Sequence, residues 1–174
     1  MNKKIIFLVI VVLIMYFISN NNVGAIKIPD EAIRIRVVAN SNSEYDQTMK
    51  LKVSDNIQKE VYTLLKEVED IETARRIIKE NIGKLDNSVK TTLLKNSYDI
   101  SYKINFGENY FPEKEFNGII YDEGYYESLL ITLGEGNGDN WWCVLFPPLC
   151  LLEAEESDEV EYKFFVQELI DKYF

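Results

Sequence analysis

No histidine occurs among the 174 residues. That absence removes the side chain that most often moves protons near neutral pH, together with the Ser/His/Asp and Cys/His nucleophile arrangements. Catalysis would fall to carboxylates, lysine or tyrosine. Cysteine is almost as scarce. Cys143 and Cys150 are the only two, they lack zinc-finger spacing, and no acidic loop has the glycine-centred pattern of a calcium hand. No metal or other cofactor is expected.

Basic charge is also in short supply. Setting aside Lys3 and Lys4 leaves 17 basic against 29 acidic residues, a net charge of −12 beyond the N-terminal segment. Binding to nucleic acid or to anionic headgroups needs the opposite sign, so neither is expected. Apolar material is plentiful: 47% of residues are hydrophobic and 13% aromatic, enough to offset the entropy of ordering a backbone.

The N-terminus has the layout of a secretory signal. Lys3 and Lys4 precede the apolar run from Ile5 to Ile18, and polar residues then lead to Val23, Gly24 and Ala25. As a helix the run is roughly 21 Å long, short of the ~30 Å hydrocarbon core. Residues 1–25 are therefore expected to be a signal peptide cut after Ala25, or alternatively a membrane anchor. Residues 26–174 would form a single exported domain that meets the membrane only through that segment. Export would let Cys143 and Cys150 form a disulfide; the other reading is two small buried apolar side chains.

Ile33, Ile35, Val37 and Ala39 recur at the strand period of two. Ser43 is placed to cap a helix running from Glu44 to about Val68, whose buried stripe is Val53, Ile57, Val61, Leu64, Leu65 and Val68. A second helical stripe runs from Ala74 to Leu93, divisible at Gly83 or at Asp86, Asn87 and Ser88. A second strand spans Ile100 to Phe106 and ends at Gly107. Residues 109–127 read as a structured loop with a short strand at Gly118 to Tyr121. Ser128 to Leu133 and Trp141 to Phe146 read as the arms of a β-hairpin with a long glycine-rich turn, closed off by Pro147 and Pro148. An acidic run from Glu153 to Glu161 reads as a solvated connection, and Tyr162 to Tyr173 as a final docked helix. The expected fold is α+β, with helices on one face of a small, mostly antiparallel sheet of three to five strands.

Gly134, Gly136 and Gly138 lack the lysine and the following helix of a phosphate loop, so they are read as turn glycines. More unusual is Asn140 to Cys150, N-W-W-C-V-L-F-P-P-L-C. Adjacent tryptophans on a strand point to opposite faces. If Trp142, Val144 and Phe146 face the core, Trp141, Cys143 and Leu145 face away and need a helix or a partner over them.

This segment resembles the signature of the stage II sporulation protein R family, with its tandem tryptophans and both cysteines. Arg34 to Ser43, Asp46, Gln47, Lys50 and Val53 are also similar, as are Tyr110 to Pro112, Lys114, Phe116, Gly124, Tyr126, Ser128 and Leu129. The chain departs from the family at Ser54, where a basic residue is more usual, and at Asp122. The resemblance implies a signalling protein made in the forespore and secreted across the forespore membrane into the intermembrane space. There it would activate a membrane-bound aspartic protease that processes a sigma-factor precursor in the mother cell. It implies no catalytic residues. Asn140, Trp141 and Trp142 are the expected partner contact, with Asn40 and Ser41 as a secondary one. The rival reading is a cell-wall hydrolase using two of Asp46, Glu123 and Glu127 as acid and base.

Overall fold

Residues 31–116 and 119–147 are described in the computed structural model. Strand β1 (Ile33–Val38) is followed by helices α1 (Glu44–Leu65), α2 (Ile71–Glu80) and α3 (Ile82–Lys95). Then come β2 (Tyr102–Phe111), β3 (Lys114–Phe116), β4 (Ile119–Tyr121), β5 (Gly124–Leu133) and β6 (Asn140–Phe146). The fold is α+β, with a mixed four-stranded sheet in the order β2-β5-β1-β6 and a separate two-stranded β3-β4 ribbon. The expected N-terminal segment, acidic run and final helix lie outside the described residues.

Burial of a single sheet face explains most of this. On β1, Ile33, Ile35 and Val37 point toward the helices, and Leu129, Ile131 and Leu133 of β5 lie beside them. Helix α1 lays Val53, Ile57, Val61 and Leu65 on that surface, α2 adds Ala74 and Ile78, and α3 adds Leu85, Val89 and Leu93. Each set steps by four residues, a spacing that gathers side chains on one side of a helix. Ser54, the departure from the family pattern, is buried beneath this layer and donates to the Lys50 carbonyl (2.9 Å).

The expected boundaries shift at four places. Helix α1 stops at Leu65, where the Val68 amide bonds back to the Leu65 carbonyl, although Val68 remains in the core. The second stripe divides at Asn81, not at Gly83 or Asp86. The Asn81 side chain donates to the Ile77 carbonyl (2.9 Å), and its own carbonyl receives the Lys84 and Leu85 amides. Strand β2 continues through Gly107, which takes a φ of 156° open to glycine, and pairs without interruption as far as Phe111 opposite Gly124. Much of the expected loop at 109–127 is therefore strand, and its middle forms the β3-β4 ribbon.

A larger correction concerns β5 and β6, which do not form a hairpin. β1 lies between them, parallel to β5 and antiparallel to β6. The expectation took neighbours in sequence as neighbours in the sheet. Residues 134–139 have to cross only two strand spacings, roughly 10 Å, which six residues span easily. They are tied to the end of β1 as they pass: the Gly138 amide donates to the Ala39 carbonyl (2.9 Å) and the Asn137 amide to the Asn40 carbonyl (3.0 Å).

That close approach leaves no room for a side chain at Gly138, where a Cβ would lie 2.3 Å from the Ser41 carbonyl oxygen. Gly138→Ala is expected to lower stability by about 2 kcal/mol or more. Gly83→Ala, whose added methyl meets nothing within 4 Å on a helix, should raise it by about 0.5–1 kcal/mol. Urea unfolding of the two variants checks both signs.

Candidate functional site

The register of β6 on β1 settles where the tandem tryptophans point. Trp141 pairs with Val37 and Cys143 with Ile35, so both face the helices and pack against the core. Trp142 pairs with Arg36 and Val144 with Arg34, on the helix-free face. The conditional assignment from sequence is thus reversed for these residues. A register shift between Ile33 and Arg34 then brings both Leu145 and Phe146 into the core. Neither tryptophan is fully exposed.

Arginine and aromatic side chains alternate across the helix-free face. The Arg34 guanidinium lies 4.0 Å from the Tyr126 ring centroid, and its side chain is only 3% exposed. Arg36 donates to the Tyr110 carbonyl (2.8 Å) and lies over Phe111. Trp142 meets Tyr121 edge-on at 5.6 Å. Asn109 is buried between strands and donates to both the carbonyl and the hydroxyl of Ser128. Arg34, Phe111, Tyr121, Tyr126, Asn140 and Trp142 border a recess of about 30 Å³, room for about one water and far below a small-molecule site. The alternation of Arg34 and Arg36 with apolar residues was visible in the sequence, but it reads as a solvated strand face. The aromatic cover comes from β2, β4 and β5, which sequence spacing does not bring together.

At the C-terminal end of β1, Asn40 and Ser41, expected as secondary contacts, are half-buried and hydrogen-bonded within the domain. The carboxylate of Asp46, 7% exposed, accepts from Asn40 Nδ2 (2.9 Å), Ser41 Oγ (2.6 Å) and the Tyr98 hydroxyl (2.6 Å). Its amide donates to Ser43 Oγ, which caps α1. Asn40 Oδ1 accepts the Glu135 amide, and Asn42 Oδ1 accepts the Asp139 amide (2.6 Å). Lys50 Nζ reaches the Asp139 carbonyl (3.2 Å) and Gln47, whose side chain returns to the Ser41 carbonyl. Asn40 and Ser41 therefore fasten β1 to α1 and to the 134–139 crossover. The hydrogen bond from Ser41 leads in holding the Asp46 carboxyl below its usual range, with Tyr98 next, while burial pushes the Tyr98 phenol up.

The three acids considered for hydrolysis are not brought together. Asp46 serves this hub. Glu127 receives two parallel hydrogen bonds from Arg75 of α2 (2.6 and 2.7 Å). Glu123 accepts from the Tyr110 hydroxyl. Cys143 is in the disulfide-bonded form, and Cys150 lies outside the described residues.

Comparison with known proteins gives a consistent outcome. The family model described as Stage II sporulation protein R matches residues 29–156. Stage II sporulation protein R of Bacillus subtilis (strain 168) is 42% identical over 134 residues, covering 77% of this chain and 60% of the relative. The chain thus spans about 60% of the length of the curated relative it matches. No solved structure matches.

The Asp46 hub has a pH signature. A carboxyl held below its ordinary value adds stability that is fully present above the unfolded pKa and is lost as pH falls through the folded one. The domain should therefore lose stability as pH drops below about 4. Asp46→Asn should be less stable at neutral pH, by about 2 kcal/mol, and its stability should change less across that acid range. Urea midpoints measured at several pH values test this; parallel profiles for the two proteins would contradict it.

Proposed function

Because the chain belongs to the stage II sporulation protein R family, we propose that it is an exported sporulation signalling protein that activates a membrane-bound aspartic protease by docking on it. The protease then processes a sigma-factor precursor in the mother cell. Family membership across residues 29–156 is the observation that carries this reading, since it takes in the whole helix and sheet assembly together with β6. Residues 1–25 deliver the domain across the forespore membrane to the intermembrane space. Activation needs no bond made by this chain: a ligand that binds the active state of the protease better than the inactive one shifts its population.

The contact is assigned to the β6 surface at Asn140 and Trp142, where an aromatic ring borders the helix-free face. Trp141 supports that strand from the core side, and Asn40 and Ser41 act at a distance by fixing the crossover that leads into β6. In the oxidising space outside the cytoplasm, Cys143 of β6 and Cys150 are joined by a disulfide.

Co-expression with the protease and the sigma-factor precursor in a non-sporulating host tests the function. Precursor cleavage should require this chain. Trp142→Ala should abolish cleavage while leaving the unfolding midpoint nearly unchanged, whereas Trp141→Ala should lower stability by about 2–3 kcal/mol. Normal cleavage with Trp142→Ala would remove the contact assignment, and cleavage without this chain would remove the function. For the cysteines, denatured but unreduced exported protein should take up no iodoacetamide and reduced protein two equivalents. Two adducts without reduction would exclude the bridge.

A further inference from the structure

Strand β2 borders β5 on one side, and its other edge pairs with no strand among the described residues. Residues in an antiparallel ladder turn their backbone groups alternately to the two sides. The Gly134 amide donates to the Ser101 carbonyl (2.7 Å), next to the pairing of Tyr102 with Leu133, so Ser101, Lys103 and Asn105 face β5. Tyr102, Ile104 and Phe106 therefore direct their N–H and C=O groups to the open edge. Their side chains lie on the helix-covered face beside Leu133, Ile131 and Leu129, packed against the core yet only half-buried. The same three residues thus leave unfinished both a hydrogen-bond ladder and an apolar row.

Native sheets commonly guard such an edge with charge, proline or a bulge, because an open edge is a template for another strand. From Ile100 to Gly107 the one charge is Lys103, and there is no proline. The stretch also holds no acid, in a chain with 29 acidic against 19 basic residues. Like charge opposes self-association of so acidic a chain, and it does so least along this edge. The strand is also complementary to itself. Antiparallel pairing about a twofold axis at Ile104 sets Ile104 opposite its own counterpart and Tyr102 opposite Phe106 of the second copy, all on one face. Lys103 then stands opposite Asn105, and no two charges meet. Centring the axis on Phe106 would instead set Ile104 against Glu108.

We propose that two copies of this chain associate edge to edge through β2 in the register centred on Ile104. The two four-stranded sheets then form one continuous sheet with both helix layers on the same side. Each facing pair among Tyr102, Ile104 and Phe106 exchanges two backbone hydrogen bonds, and the apolar row runs on across the axis. β2 and β6 are opposite edges of the sheet, so the pairing leaves Asn140 and Trp142 open and does not depend on the protease reading above.

Disulfide trapping reads both the contact and its register. A hydrogen-bonded antiparallel pair sets its Cα atoms about 5.5 Å apart, within disulfide reach. Full-length variants, purified as expressed, are oxidised mildly and their dimers resolved on a non-reducing gel. Ile104→Cys should give several-fold more cross-linked dimer than Tyr102→Cys, whose twofold mates are out of step. Mixing Tyr102→Cys with Phe106→Cys should restore cross-linking between the two variants. Ile104→Pro removes only an edge-facing N–H, so it should stay folded and lose the concentration-dependent self-association seen by sedimentation velocity. If Ile104→Pro unfolds, the trapping yields alone decide. A chain that stays monomeric and traps no dimer at residue 104, equal yields at residues 102 and 104, or a dimer that survives in folded Ile104→Pro would each overturn the proposal.

Discussion

The buried carboxylate of Asp46 is the constraint on which the upper end of the molecule depends. It gathers donors from Asn40, Ser41 and Tyr98, which come from the exit of β1 and from the segment after α3. A buried charge is tolerable only when hydrogen bonds replace its lost water, and a network that does so rigidifies its members together. Asn40 is then held with one side-chain atom on Asp46 and the other on the Glu135 amide, which extends the network into the crossover between β5 and β6.

From that clamp follows the placement of β6. Once residues 134–139 are tied across the end of β1, the next strand enters the sheet beyond β1 and antiparallel to it. The pairing of Trp142 with Arg36 then fixes which tryptophan joins the helix-covered core and which joins the arginines on the other side. Such rigidity would suit the docking role proposed above, because a preformed contact face spends less of its binding free energy on ordering. The residues first expected to touch a partner divide accordingly: Asn140 and Trp142 border the open face, Trp141 packs inward, and Asn40 and Ser41 hold the scaffold.

Local pattern made the helices and most strands legible. Ser43 with Asp46 marked the start of α1, and the alternation of Ile33, Ile35 and Val37 marked a half-buried strand. Pairing was not legible in the same way. Ser128 to Leu133 and Trp141 to Phe146 carry ordinary hairpin signals, and nothing within either strand announces that β1 intervenes. Gly107 misled because its effect depends on the strand paired across from it, whereas Asn81 escaped notice although its partners, the Ile77 carbonyl and the Lys84 and Leu85 amides, are local. Asp46 was visible as a helix-start acid, but its wider role rests on Tyr98, 52 residues away. The family resemblance was carried by the segment from Asn140 to Cys150, where sequence is more distinctive than any periodicity.

The central physical claim is that the polar clamp at the end of β1 holds the crossover and thereby β6. Hydrogen exchange of Asn40→Ala against the unaltered protein tests it most directly. The account predicts faster exchange at the amides of 135–139 and at the first residues of β6, with the β2-β5 ladder and the α1 interior unchanged. Unaltered protection across 135–142, or a uniform loss over the whole domain, would contradict it.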